Sequence, residues 1–287
     1  MVWFIFAILG AILHATYYTL VKKFLKNIDQ HILASGIFLS SFIILFLISL
    51  IKGFPEINYG FYYSFLFTGI INVIATILYF KSLKTTDLSL SIPMTSFTPI
   101  FLIFTSFILL NEFPSIFGII GIFLIVIGSY IININKTRKN FLDPFKEIFR
   151  NKGIFYMLIV AFLWSISINF DKLVILNSDT IFGSSIVHLF IGLTFLALSY
   201  IKKKNIKKEY KKNLNKIFVT GLVFAIMIIL INIALTMQIV PYVISLKRLS
   251  ILFSIFYGGL IFKEKNIFRK SIGAFIMLIG VILIILG

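Results

Sequence analysis

The stretch VISLKRLSILFS puts Lys247 beside Arg248 within a long apolar run, with Pro241 a short way ahead. Two cations in apolar surroundings need a compensating anion, and the flat guanidinium fork suits two-pronged contact with a carboxylate or phosphate. The alternative is that the Lys247 ammonium reaches along its stem to water while Arg248 pairs with backbone carbonyls or a buried acid. A second group carries hydroxyl, amide or ring chemistry in apolar runs: His14, Tyr17, Tyr18, Asn72, Tyr79, Trp164, Ser167, Asn169, Asn232 and Gln238. Such side chains either line a polar cavity that hydrogen-bonds a metabolite or join helices directly. Glu112 and Glu264 precede apolar runs, where a carboxylate steadies the N-terminus of the next helix; this architectural role is favoured over proton coupling. Asp171 and Lys172 read as a surface ion pair at the end of a run. The glycine pairs Gly121 with Gly128 and Gly273 with Gly280 share one spacing that keeps a helix face thin for close packing.

Other chemistries find little support. The absence of Cys removes disulfides, thiolate nucleophiles and cysteine metal sites. His14, His31 and His188 are too scattered for a metal site, and no cofactor is expected. No GxxxxGK[ST] phosphate loop is present, so this chain is not expected to hydrolyse ATP, nor to act as an enzyme.

These residues must be held by membrane helices. Of the 287 residues 60% are hydrophobic and only 13% charged, with a mean hydropathy of +1.06, which excludes an ordinary soluble domain. A span needs about 20 mostly apolar residues to cross roughly 30 Å of hydrocarbon. Ten such segments occur, near 2–21, 31–51, 61–80, 88–110, 116–134, 153–171, 180–201, 217–238, 240–262 and 267–286. Without water to satisfy backbone groups, segments of this length are helices. The fold class is therefore all-α integral membrane with ten spans. Pro93 and Pro99 mark a kink or break in the fourth. The +17 net charge sits in short clusters between spans and reads as a topology signal with contacts to anionic lipid head groups, not as a nucleic-acid site.

The chain also repeats itself. NEFPSIFGIIGIFLIVIG from Asn111 aligns without a gap on KEKNIFRKSIGAFIMLIG from Lys263, pairing Glu112 with Glu264, Gly121 with Gly273 and Gly128 with Gly280. AILHATYYTLVKK from Ala11 falls on AFLWSISINFDKL from Ala161. The organisation is thus a five-helix repeat at 1–134, a basic linker at 135–152 and a second repeat at 153–287. An odd number of spans inverts the second copy, and inverted repeats place a site between the halves. Nearly all of the 27 Lys and Arg fall in loops after odd-numbered spans, which puts those loops in the cytoplasm and both termini outside an inner membrane. With both repeats in one chain, a monomer suffices.

The stretches YFKSLKTTDLSLSIPMTSFTPIFLIFTSFILLNEFPSIFGIIGIFLIVIG and VPYVISLKRLSILFSIFYGGLIFKEKNIFRKSIGAFIMLIGVILI resemble the drug/metabolite transporter superfamily, in particular its ten-span members with two EamA domains. The resemblance covers nearly the whole chain. It implies a central cavity lined by the first, third, fourth, sixth, eighth and ninth spans, and a small-molecule substrate. Lys247 with Arg248 is similar by position to the phosphate-binding pair of plastid sugar-phosphate antiporters in a distant branch. Those antiporters add a cation in the fourth span, where this chain has Pro93, Met94, Thr95 and Ser96. One fewer charge favours a carboxylate, as in an amino acid or organic acid, over a doubly charged phosphate; a phosphorylated metabolite or lipid-linked sugar is the alternative. Many eukaryotic relatives have cytosolic termini, opposite to the orientation read here from charge. The expected activity is secondary transport by alternating access, with export the favoured direction.

Overall fold

In the computed structural model, residues 2–86, 94–133, 151–202, 205–253 and 267–287 are described, and their regular structure is helical throughout. Among the described residues the helices are, in order, α1 (Trp3–Phe24), α2 (Gln30–Lys52), α3 (Gly60–Thr85), α4 (Thr98–Leu110), α5 (Ile116–Asn133), α6 (Lys152–Leu176), α7 (Phe182–Ile201), α8 (Ile206–Met237), α9 (Val240–Lys247) and α10 (Ile267–Leu286), besides short helical pieces at 94–95 and 250–253. Among the described residues six helices are long and apolar enough to cross a membrane: α1, α2, α3, α6, α7 and α8. Shorter apolar helices cover Thr98–Leu110, Ile116–Ile132 and Ile272–Leu286. Glu264, Pro93 and most of the basic linker lie outside the described residues.

Three elements depart from the expected spans for local reasons. α8 begins at Ile206, well before the apolar run, because the basic stretch is made of helix-forming Lys and Glu residues. There the Asn213 amide donates to the Glu209 carboxylate one turn back, and the Tyr210 hydroxyl meets Ser35 Oγ at 2.7 Å. α6 continues to Leu176, so Asp171 and Lys172 stand inside the helix. Lys172 is buried at 7% exposure, which corrects the expectation of a surface pair. Gln238 lies past the end of α8, where its side-chain oxygen accepts from the Ile239 N–H at 2.9 Å. It does not belong to the eighth helix.

The chain divides into two compact units, and neither coincides with a sequence repeat. The first comprises Met1–Val73 with Phe170–Met237, and the second Ile74–Asn169 with Gln238–Gly287. In the first, α2 packs along α7 and α8, and α8 along α1. The joint between α7 and α8 is polar: the Asn232 amide donates to the Thr180 carbonyl and to Ser184 Oγ, each at 2.7 Å.

In the second unit α5 and α10 form the most extensive helix pair. A Cβ placed on Gly121 would lie 2.6 Å from the Gly280 carbonyl oxygen, and one on Gly128 would lie 2.5 Å from that of Gly273. As the number rises along α5 its partner's number falls along α10, so the helices run antiparallel. The offset of 152 that aligns the repeats carries Gly121 onto Gly273 and Gly128 onto Gly280. It thereby exchanges the two contacts. Ile284 against Gly121 and Ile132 against Gly273 obey the same exchange. The pair has a local two-fold relation, and the glycines let the two backbones touch.

Candidate substrate site at two interrupted helices

α9 is eight residues long and stops at Lys247, although the apolar run continues. Arg248 and Leu249 form a turn and the helix resumes at Ser250. The Leu249 N–H donates to the Leu246 carbonyl at 2.9 Å and the Leu252 N–H to the Leu249 carbonyl at 2.9 Å. The fourth segment repeats this at the same offset. Met94 and Thr95 are helical, Ser96 and Phe97 form a turn, and α4 starts at Thr98 with Pro99 in its first turn. The Phe97 N–H donates to the Met94 carbonyl at 3.2 Å and the Ile100 N–H to the Phe97 carbonyl at 3.0 Å. Both interruptions belong to the second unit, where α9 packs against α4 and α5.

An interruption of this kind frees backbone groups and sets two helix ends at one place. The C-terminal end of α9 is partly negative and favours Lys247 and Arg248, but the helix that restarts at Ser250 offers a positive end beside it. The two partial charges nearly cancel. At the equivalent place on the fourth segment stand Thr95, 7% exposed, and Ser96, fully buried. Ser96 Oγ has no hydrogen-bond partner among the described residues. A buried hydroxyl without a partner costs about 1–3 kcal/mol, so its retention asks for a reason.

Neighbouring rings frame the fourth-segment turn. Met94 is fully buried in a cluster with Tyr130, Ile154, Met157 and Val160, against which Tyr79, Phe97 and Trp164 pack. The Tyr79 and Trp164 rings lie 5.8 Å apart, and those of Phe97 and Tyr130 6.0 Å. The other end of α9 is anchored. Glu112 Oε2 accepts the Val240 N–H at 2.8 Å, and the Tyr242 hydroxyl accepts the Ser115 N–H at 2.9 Å. Glu112 therefore caps α9, a helix far along the chain. Lys247 and Arg248 stand at the C-terminal end of a short helix whose first turn is fixed.

The remaining sequence candidates fall elsewhere. Asn169, fully buried on α6, accepts from Ser106 Oγ at 2.7 Å and donates to Thr105 Oγ1 at 3.1 Å and the Ser165 carbonyl at 2.8 Å. It joins α6 to α4, as Asn232 joins α8 to α7. Ser167 is buried on α6. His14 and Tyr17 lie in the first unit within an aromatic group: His14 to Tyr18 is 4.5 Å between ring centroids, and Tyr17 to Phe224 is 4.9 Å. His188, which the sequence reading set aside, stacks on Phe224 at 5.1 Å, and its Nδ1 meets Ser41 Oγ at 3.0 Å. Asn72 donates to Thr68 Oγ1 at 3.1 Å. Ser96 could have been found from the offset that maps it onto Arg248. Thr105, Ser106 and His188 carried no such signal, because their partners are set by helix pairing.

The fold and the interrupted helices together define a multi-pass helical membrane protein of the transporter class. The sequence profile of the EamA-like transporter family matches residues 1–134 and again 151–286, and the chain belongs to that family. It is 25% identical over 211 residues to an uncharacterized transporter of Archaeoglobus fulgidus, an alignment covering 72% of this chain and 70% of that one. A solved crystal structure superposes with a TM-score of 0.76 at 12% identity, over 98% of this chain and 94% of its own, and is alike in fold.

Proposed function

We propose that the chain is a secondary transporter of a small metabolite carrying a carboxylate, such as an amino acid or an organic acid, and that it works by alternating access. The observation behind this reading is the pair of helix interruptions at equivalent positions, one bearing Lys247 and Arg248, the other Thr95 and Ser96. Broken helices at matching places in two repeats are the feature that marks a transporter's binding site. The cations take the carboxylate, and the hydroxyls take a neutral polar group at the other end of the cargo. Tyr79 and Trp164 supply apolar walls.

Ten spans arranged as two inverted five-helix repeats accompany this proposal, supported by the exchange of glycine contacts between α5 and α10. The excess of Lys and Arg after odd-numbered segments favours an inner-membrane protein with both termini outside, and export is the direction proposed with it. A monomer can perform this cycle, since one chain holds both repeats. The adjacent cations keep a phosphorylated metabolite as the second reading.

The test is a thermal-stability screen of the purified chain against amino acids, organic acids, sugar phosphates and nucleotide sugars, repeated on Arg248→Gln. A ligand that binds only the folded state raises its apparent stability. Stabilisation of the wild type by a carboxylate, lost in the variant, supports the reading; preference for a phosphate ester moves the cargo to the second class. Equal responses of the two proteins would refute a site at Arg248.

A further inference from the structure

A carboxylate within a membrane helix is costly to keep and is by default a functional group. Asp171 stands five residues before the end of α6, roughly 8 Å inside it at 1.5 Å per residue. The Thr68 hydroxyl of α3 donates to Asp171 Oδ1 at 2.5 Å, and Thr68 Oγ1 in turn accepts from the Asn72 amide at 3.1 Å. Thr68 is fully buried. The stacked rings of Phe67 and Phe170, 5.1 Å apart at 15°, fix the register of the two helices beside this chain of bonds. The charged neighbour on α6 is Lys172, buried at 7% exposure; on α3 the nearest ionisable groups are Tyr62 and Tyr63, both exposed.

The hydrogen-bond chain has a direction. Asn72 gives a hydrogen to Thr68, and Thr68 gives its only hydrogen to Asp171. This order suits an ionised carboxylate. If Asp171 gains a proton on Oδ1, its new O–H becomes a donor facing another donor, and the Thr68 hydroxyl must turn to accept it, competing with the Asn72 amide. One proton on α6 is thereby felt one turn along α3.

We propose that Asp171, Thr68 and Asn72 form a proton-binding site of this transporter, in which Asp171 is reversibly protonated and Thr68 passes that state to α3. Uptake converts one carboxylate to a carboxylic acid and changes no other covalent bond. The proposal requires only that the chain is a transporter and stands apart from the cargo site at Arg248.

The test is infrared difference spectroscopy on the purified full chain in lipid vesicles, titrated from alkaline to acidic buffer. The expected result is a component of the carboxylic-acid carbonyl band that grows on acidification and is missing in Asp171→Asn, where the other carboxyl groups still contribute. Thr68→Val removes a donor to the ionised form, so its midpoint rises by about one pH unit, a roughly tenfold tighter proton affinity. Thr68→Ser leaves the midpoint in place. Both Thr68 variants retain Asp171, so they decide the matter even where Asp171→Asn does not fold. A midpoint shared by the wild type and Thr68→Val, or a carbonyl difference spectrum that is the same in the wild type and Asp171→Asn, would overturn the proposal. So would stabilisation by sodium chloride over choline chloride that disappears in the Asp171 variant.

Discussion

Replacing Gly121 with Ala puts one methyl group where the α10 backbone already lies. The added carbon would sit 2.6 Å from the Gly280 carbonyl oxygen, 2.8 Å from Ile284 Cγ1 and 3.2 Å from the Ile284 nitrogen. Ordinary contact begins near 3.4 Å, so the first of these is about 0.8 Å too close. Two of the three atoms belong to the backbone, and no rotamer change can move them aside. The helices must part, which also loosens the contact between Gly128 and Gly273. Overpacking of this kind costs about 1–3 kcal/mol. Gly273→Ala meets the Gly128 carbonyl oxygen at 2.6 Å and Ile132 Cγ1 at 2.7 Å, so it should destabilise by a similar amount. The double variant should cost less than the sum, because one separation of α5 from α10 relieves both clashes. Reversible denaturant unfolding of the purified protein in detergent measures all three. Gly121→Ala as stable as the wild type, or a large cost for Gly121→Ala beside none for Gly273→Ala, would refute the two-fold packing argument.

Other outcomes are expected at the candidate site and its supports. Ser96→Ala should leave stability unchanged or slightly raised, since it deletes a buried hydroxyl without a partner, while reducing ligand-induced stabilisation in the same thermal assay. Glu112→Ala should destabilise by about 1–3 kcal/mol in denaturant unfolding, because it removes a charge-assisted acceptor from the α9 N-terminus, and Glu112→Gln should recover much of that. Asn169→Leu should cost about 1–3 kcal/mol by stranding the buried Ser106 hydroxyl, read from the same unfolding curves. Arg248→Lys should keep part of the carboxylate-induced thermal shift that Arg248→Gln loses, since charge is retained and the two-pronged geometry is not.

The linear sequence determined the helical class, the membrane setting and the chain's internal repetition. Those follow from properties that add along a chain: hydrophobic run length, the obligation to satisfy backbone groups locally, and residue types recurring at one offset. It also singled out Lys247 and Arg248, because charge within an apolar run is conspicuous without any fold. Only the tertiary structure showed that the ninth segment breaks directly after Lys247 and the fourth at the matching turn. Pro99 hinted at one of these; no proline stands at the other, where α9 packs against α4 and α5. Likewise Asp171 read as the end of a span, since composition alone cannot tell where a helix stops. Its bond to Thr68 joins residues more than a hundred positions apart, and such pairings depend on which helix faces meet. The two compact units, each drawn from both repeats, arise for the same reason: packing selects complementary surfaces irrespective of their order in the chain.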